Sequence, residues 1–247
     1  FKEFLEETFK HAFDTDRALF ARCDPDGKLY PSVASTLAEA DDERLFHFVG
    51  KRLGKAVFEG IVIASALADI FVTKLLGRRP GLDELGSLDP ELAKQLDFVK
   101  RYEGDVEGDL CLTFTIDEEE FGARRTVDLH DGGAAIAVTA ANRIEYCHVL
   151  ADYRLNKQTE RQCRAFCGGF HSVVPPAWLR LFNTPELQRL ISGDTDAPID
   201  VADLRRHARY AGGYHAASPA VRDLWSVLGK LSDEDRAKFL KFVTSCS

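Results

Sequence analysis

Between Arg44 and Leu76 the apolar residues recur at helical spacing. Leu45, Val49, Leu53, Val57 and Ile61 fall on one stripe, which Phe46, Phe58 and Val62 widen. Lys51, Arg52, Lys55 and Glu59 take the remaining face. Further on, Ile63, Leu67, Ile70, Phe71, Leu75 and Leu76 leave little polar surface, which predicts burial on most sides. Gly50, Gly54 and Gly60 interrupt the pattern, each costing about 1 kcal/mol in a helix relative to Ala. The stretch is therefore expected to be a core helix or helix pair, with close backbone packing or a break near Gly60. The uncharged segment between Glu59 and Asp69 is too short to cross a membrane, which takes about 20 residues. The pattern predicts a soluble protein with no membrane partner.

The same reading extends to the rest of the chain. Residues 1–20 form an expected amphipathic helix with Phe4, Leu5, Phe9, Phe13 and Phe20 on its apolar side. Asp24-Pro-Asp-Gly27 signals a turn before an extended piece over 28–33. Asp41, Asp42 and Glu43 place acid at the start of the central helix, where the dipole favours it. Residues 77–88 read as a loop. Asp89-Pro90-Glu91 starts a helix carrying Leu92, Leu96 and Val99 that stops near Gly104. Leu110, Leu112, Phe114 and Ile116 alternate with Cys111, Thr113 and Thr115, as in a strand. Asp131-Gly-Gly133 is expected to close a hairpin between 126–129 and 135–139. A long helix from Thr139 to about Phe166 should stop at Gly168-Gly169. Shorter helices follow at 184–191, 200–206 and 218–228, and a last one starts at Ser232. The expected class is α+β, mainly α-helical, with a small central β element.

Composition narrows the function classes. The net charge of -8 argues against a nucleic-acid partner. Cys23, Cys111, Cys147, Cys163, Cys167 and Cys246 are scattered without Cys-x-x-Cys spacing, which suits reduced thiols in an intracellular compartment, cytoplasmic or nuclear. There is no methionine, not even at position 1, so the chain is expected to be a segment of a larger protein.

No self-contained active site is visible. Cys163 and Cys167 sit one helical turn apart without a His at matching spacing, which favours structural thiols over a metal site. Cys147 and His148 are sequence neighbours and diverge on a helix. No phosphate loop, His-Glu-x-x-His or Gly-x-Ser-x-Gly occurs, and no cofactor is expected. One feature suggests binding. Eight acidic residues (103, 105, 107, 109, 117, 118, 119 and 120) and no basic one lie between Glu103 and Glu120, around the apolar run 110–116. This is either a half-buried strand between solvated acidic turns or an apolar groove with an acidic rim for a basic protein partner.

Leu45-Phe-His-Phe-Val-Gly-Lys-Arg-Leu-Gly-Lys-Ala-Val-Phe-Glu-Gly60 resembles the Phe-x-Gly-x-x-x-Gly-x-Ala-x-x-x-Gly run of HECT-type E3 ubiquitin ligases. In the same order follow Tyr102-Glu-Gly, Phe121-Gly122, Asn142-Arg143 and Phe166-x-x-Gly169-Phe170, then Thr184-Pro-Glu-Leu-Gln-Arg-Leu-Ile-Ser-Gly193, Tyr210-x-Gly-Gly-Tyr214 and Phe239-Leu-Lys-Phe-Val-Thr244. Together they cover nearly the whole chain. The resemblance implies a two-lobed domain: an N-terminal lobe over residues 1–210 that binds the ubiquitin-loaded E2 enzyme, then an inter-lobe region over 211–247. Partners would be an E2, ubiquitin and protein substrates.

In the family a C-terminal-lobe cysteine takes ubiquitin as a thioester, within a Leu-Pro-x-x-x-Thr-Cys-Phe type of segment. No such segment occurs here, and Cys246 does not match it, so the thioester cysteine is expected beyond Ser247 and the fragment alone should be inactive. The family's E2 groove carries over to Leu92, Leu96, Leu110, Leu112 and Tyr146, between which an E2-loop aromatic side chain would insert. A second, non-covalent ubiquitin site near Leu29 and Tyr30 is also implied for some members. Two alternatives stay open: a HECT-like lobe that recruits an E2 and transfers nothing, and an unrelated cysteine enzyme using Cys147 or Cys163.

Overall fold

The computed structural model describes residues 2–23, 27–38, 41–63, 66–120, 123–193 and 199–244. The chain divides into two compact units, Phe1–Gly193 and Asp194–Ser247.

The first helix, α1 (Lys2–Ala12), buries Leu5 and Phe9 and leaves Phe4 49% exposed. It does not run on to Phe20. Asp14 accepts a hydrogen bond from the Asp16 amide and opens a 3-10 turn, Thr15–Arg17, and Ala18 then adopts φ 56°. This reversal delivers Phe20 on a strand, β1 (Phe20–Cys23), paired antiparallel with β2 (Lys28–Pro31). The turn expected at residues 24–26 lies outside the described residues.

After a short α2 (Ser35–Ala38) comes α3 (Asp42–Glu59). Its buried Asp42 carboxylate accepts from the Ser35 hydroxyl at 2.9 Å. The break foreseen near Gly60 is real: Gly60 caps α3 at φ 67° and ends it before a connecting segment. In that connection the Ile63 amide donates to the Ile191 carbonyl and Leu67 bridges Leu29. The chain resumes as α4 (Asp69–Leu75), which buries Ile70, Phe71, Val72 and Leu75. Phe58 and Val62, placed on the apolar stripe, are instead exposed.

A 3-10 segment (Leu82–Ser87) leads into α5 (Pro90–Arg101) and α6 (Val106–Leu110). The strand expected over 110–116 does not form as such. Its first residues close α6, Cys111 takes φ 48°, and regular pairing starts only at β3 (Thr115–Glu120), antiparallel to β4 (Ala123–Asp128). The expected hairpin partner also changes. Asp131-Gly132 leads into a 3-10 turn (Gly133–Ala135), and only glycine fits at its start, since a Cβ at Gly133 would stand 2.2 Å from the Phe114 carbonyl oxygen. The following residues therefore lie along 112–114, with Thr113 bridging Ala137 and the Val138 amide donating to the Leu112 carbonyl at 2.8 Å.

The expected long helix is α7 (Arg143–Asp152), a π-helical turn (Tyr153–Lys157) and α8 (Glu160–His171). Gly168 and Gly169 lie inside α8 and do not end it. Gly169 serves contact: a Cβ there would meet the His47 carbonyl oxygen at 2.0 Å, and one at Gly50 the Phe166 carbonyl oxygen at 2.0 Å. So α3 and α8 pack backbone against backbone. Around their crossing, Phe20, Phe46, Phe71 and Phe166 interlock. The Phe20 ring centroid lies 5.4 Å from that of Phe46, 6.2 Å from Phe71 and 6.0 Å from Phe166, and Phe71 and Phe166 are 4.9 Å apart. The unit closes with α9 (Pro176–Leu179) and α10 (Thr184–Ser192), the latter capped by Asn183 and Glu186.

The second unit holds α11 (Val201–His207), α12 (Pro219–Lys230) and α13 (Asp233–Thr244). Within it the Trp225 indole donates to the Tyr210 hydroxyl at 3.0 Å, and Arg236 donates to the Leu228 carbonyl. The molecule is mainly helical α+β. Among the described residues no helix is long and apolar enough to cross a membrane.

Gly50→Ala is expected to destabilise the first unit by at least about 2 kcal/mol, because the intruding methyl meets backbone and not a movable side chain. Gly168→Ala, whose nearest neighbour would be 3.9 Å away, should gain about 0.5–1 kcal/mol from helix propensity. Urea midpoints of the two variants check the pair.

Candidate functional site

The site is built on α5. Asp89 accepts from the Leu92 amide at 3.0 Å and Pro90 occupies the first turn, so the helix starts where an N-cap and a preset φ coincide. Leu92, Leu96 and Val99 then fall on its inner side, half-buried, buried and buried. The Leu96 carbonyl lies 3.6 Å from the Cys147 thiol, which sets α7 alongside.

Tyr102 fastens the next two elements. Its hydroxyl donates to Asp109 Oδ2 at 2.8 Å on α6, and its carbonyl accepts from the Arg143 guanidinium at the start of α7. A side chain at Gly104 would stand 2.7 Å from the Tyr102 ring and 2.8 Å from its hydroxyl. That contact explains why Tyr102-Glu-Gly reads as a unit. Asn142 acts in a similar way. Its side-chain oxygen accepts from the Thr139 amide at 2.7 Å and its nitrogen donates to the Ala137 carbonyl at 3.0 Å. The connection 137–139 is thereby pinned against α7.

These ties bring the five expected residues into one hydrophobic cluster, at different depths. Leu96 is 3% exposed and Tyr146 5%, so both back the face and do not line it. Tyr146 packs edge-on against Phe114 with centroids 5.4 Å apart. Leu92, Leu110 and Leu112 are half-buried against the same core. The exposed apolar side chains on these elements are others: Phe98, 57% exposed with its ring 5.4 Å from Tyr102, then Ile136 and Ile144. The helical stripe pointed inward and so missed them. The signal that finds them is an apolar residue off that stripe, as Phe98 is on α5.

The acidic run is split by the fold. Glu103, Asp105, Glu107 and Asp109 stay exposed around Tyr102. The later acids lie on the hairpin, where Arg124 pairs with Asp117 at 2.8 Å and Thr126 donates to Asp117 at 2.6 Å. The Thr126 hydrogen bond, then Arg124, hold the Asp117 carboxyl below the usual carboxylate range. Glu118 accepts from the Tyr153 hydroxyl at 2.9 Å and from Gln158 at 2.7 Å, and so is also engaged. Glu103, Asp105 and Glu107 thus form an exposed acidic rim, while Asp117 and Glu118 are engaged on the hairpin. The hydrogen bond to Asp109 pushes the Tyr102 hydroxyl pKa up, and burial does the same for Tyr146.

Burial suppresses the inner thiols. It raises the Cys147 pKa and pushes Cys167 up to about 12. Cys163 contacts the Thr159 hydroxyl and the Lys74 ammonium, with no His beside it in the described hydrogen bonds. Among the described residues no three His, Cys, Asp or Glu side chains are placed to hold a metal ion. Cys246, and the Phe121-Gly122 pair of the resemblance, lie outside the described residues.

Comparison with known proteins decides the family. The profile of the HECT domain (ubiquitin-transferase) matches residues 6–247. The chain belongs to the HECT-domain family. It is 46% identical over 253 residues to human ubiquitin-protein ligase E3B, covering 100% of this chain and 23% of that protein. It is 44% identical over 244 residues to a probable E3 ubiquitin protein ligase of Schizosaccharomyces pombe, covering 99% of this chain and 24% of that protein. Identity to the E3 ubiquitin-protein ligase HUL5 of Saccharomyces cerevisiae is 37% over 248 residues, 99% of this chain and 27% of that protein. The chain thus spans about a quarter of the length of the curated relatives it matches.

With maleimide at about pH 8, the exposed Cys111 thiol should react first among the described cysteines of the native protein. Cys147 and Cys167 should react more than about a hundredfold more slowly, because both burial and the raised pKa suppress the thiolate. Mass mapping of the labelled peptides with and without urea checks this.

Proposed function

We propose that this chain is the E2-recruiting part of a HECT-type E3 ubiquitin ligase. Family membership supports the ubiquitin-transfer chemistry, and the observation that carries the docking role is the Tyr102 junction. It gathers α5, α6 and α7 around one apolar cluster and leaves acid on a single side. The E2 docks over Leu110 and Leu112, with Leu92, Leu96 and Tyr146 shaping the floor beneath them. Acid at Glu103 to Asp109 meets basic residues of the E2 and adds to association rate and orientation.

In the whole protein, a ligase cysteine takes ubiquitin from the docked E2. Its thiolate attacks the E2 thioester carbonyl and expels the E2 thiolate. A substrate lysine amine then attacks the new thioester and displaces the ligase cysteine. Thiolates suit both steps, being strong nucleophiles that also leave readily. The part of this chain in that sequence is to position the E2. It holds the donor E2, in partnership with ubiquitin and with protein substrates selected elsewhere in the protein.

The test is titration of the chain with E2 enzymes that carry a loop phenylalanine. A dissociation constant on the order of micromolar is expected for a small interface. Leu110→Ala combined with Leu112→Ala should weaken it by about tenfold or more while the circular dichroism spectrum holds, because both side chains are half-buried. Undiminished affinity in that double variant would sink the docking face. Tyr146→Ala removes a buried ring and is expected to cost about 3 kcal/mol or more of stability, so its effect on binding is read only beside its urea midpoint. Glu107→Lys should slow association and flatten its dependence on salt, with little change in dissociation rate, as stopped-flow measurements would record.

A further inference from the structure

A second concavity of the first unit lies where the end of α4, the π-helical turn and α8 meet. Its volume is about 490 Å³. Five cationic side chains line it, Lys74, Arg78, Arg79, Lys157 and Arg164, against one carboxylate, Glu160. In a chain of net charge -8 this concentration runs against the average.

Little of that charge is neutralised by the protein. Arg79 is satisfied, since its Nη2 lies 2.6 and 2.8 Å from the two oxygens of Asp152. Arg78 donates to the Phe182 carbonyl at 3.1 Å, a neutral acceptor. Lys157 and Arg164 are exposed and pair with no carboxylate among the described residues. Lys74 is the most telling. Its part-buried ammonium donates to the Tyr30 hydroxyl at 2.8 Å and to the Leu155 carbonyl, and stands 3.6 Å from the Cys163 sulfur. The hydroxyl and the carbonyl are neutral acceptors, and no described carboxylate pairs with it. Dipoles satisfy its hydrogens and leave its charge in place, at a floor where reduced solvent screening strengthens the pull on an anion.

We infer that this concavity binds a phosphate-ester anion bearing more than one negative charge. Lys74 supplies a fixed cation at the floor, and Arg78, Lys157 and Arg164 close on the ligand from three separate elements. Two guanidinium forks among the four unneutralised cations match phosphate oxygens bidentately, which a single carboxylate would not use. The volume is that of a small-ligand site. The ligand chemistry is shared by soluble phosphate esters and by phosphoinositide headgroups. The site is separate from the Tyr102 junction and does not depend on E2 docking.

Calorimetric titration of the chain with inositol hexakisphosphate probes the soluble source. Co-sedimentation with phosphatidylcholine vesicles carrying phosphatidylinositol bisphosphate probes the headgroup. The expected result is saturable binding in at least one arm that weakens as salt rises. Lys157→Glu combined with Arg164→Glu, both at exposed positions, should reduce affinity by about tenfold or more with an unchanged circular dichroism spectrum. Lys51→Glu, on the exposed side of α3, should bind like the parent chain. Binding in the soluble arm alone assigns a free ester, and binding to vesicles alone assigns a headgroup. Equal affinity in the doubly reversed variant, or no binding in either arm, overturns the site.

Discussion

The contact between α3 and α8 is the constraint on which the first unit depends. Gly50 and Gly169 let the two backbones approach until a single added carbon would overlap a carbonyl oxygen. Close approach brings Phe46 and Phe166 within reach of Phe20 from β1 and Phe71 from α4. Four segments distant in sequence thus share one aromatic knot, and interlocked rings contribute beyond their buried area. The glycines cost helix propensity locally, and the packing they permit offsets it.

From this frame the candidate site is positioned indirectly. The π-helical turn and the two turn residues after it, Gln158 and Thr159, join α7 to α8 by a short connection, which ties the orientation of α7 to α8. Arg154 in that turn pairs with Asp89, the same residue that caps α5. Tyr102 then fixes the far end of α5 to α6 and α7. The face is held at both ends by polar contacts and beneath by Leu96, Phe114 and Tyr146. A surface supported in this way can present half-buried leucines without collapsing onto them.

The family motifs turn out to be physical requirements of that scaffold. Gly104 leaves room for the Tyr102 ring, Asn142 pins the chain before α7, and Arg143 reaches back to the Tyr102 carbonyl. Asn183 and Glu186 cap α10 reciprocally. Each is a local arrangement of a few atoms, which is why short stretches of sequence carried the resemblance. The same holds for the cysteines: Cys147 and Cys167 lie where burial keeps the thiol protonated, in line with a structural part for them.

The sequence by itself determined the helical class, the positions of α3, α5, α7–α8, α10, α12 and α13, the break at Gly60 and the family. The elements follow from apolar periodicity, glycine placement and capping chemistry, which act over a few residues, and the family from the short motifs that resemble it. Tertiary structure alone decided that Phe20 enters the core on a strand, that Gly169 is a contact and not a stop, and that 135–139 lies along 112–114 in place of 126–129. In each case the local pattern suited two conformations, and packing against a distant backbone selected one. Depth was likewise beyond the sequence. The same apolar letter marks Leu96, which is buried, and Phe98, two residues on and largely exposed, because helical phase tells faces apart only once the partner of each face is in place.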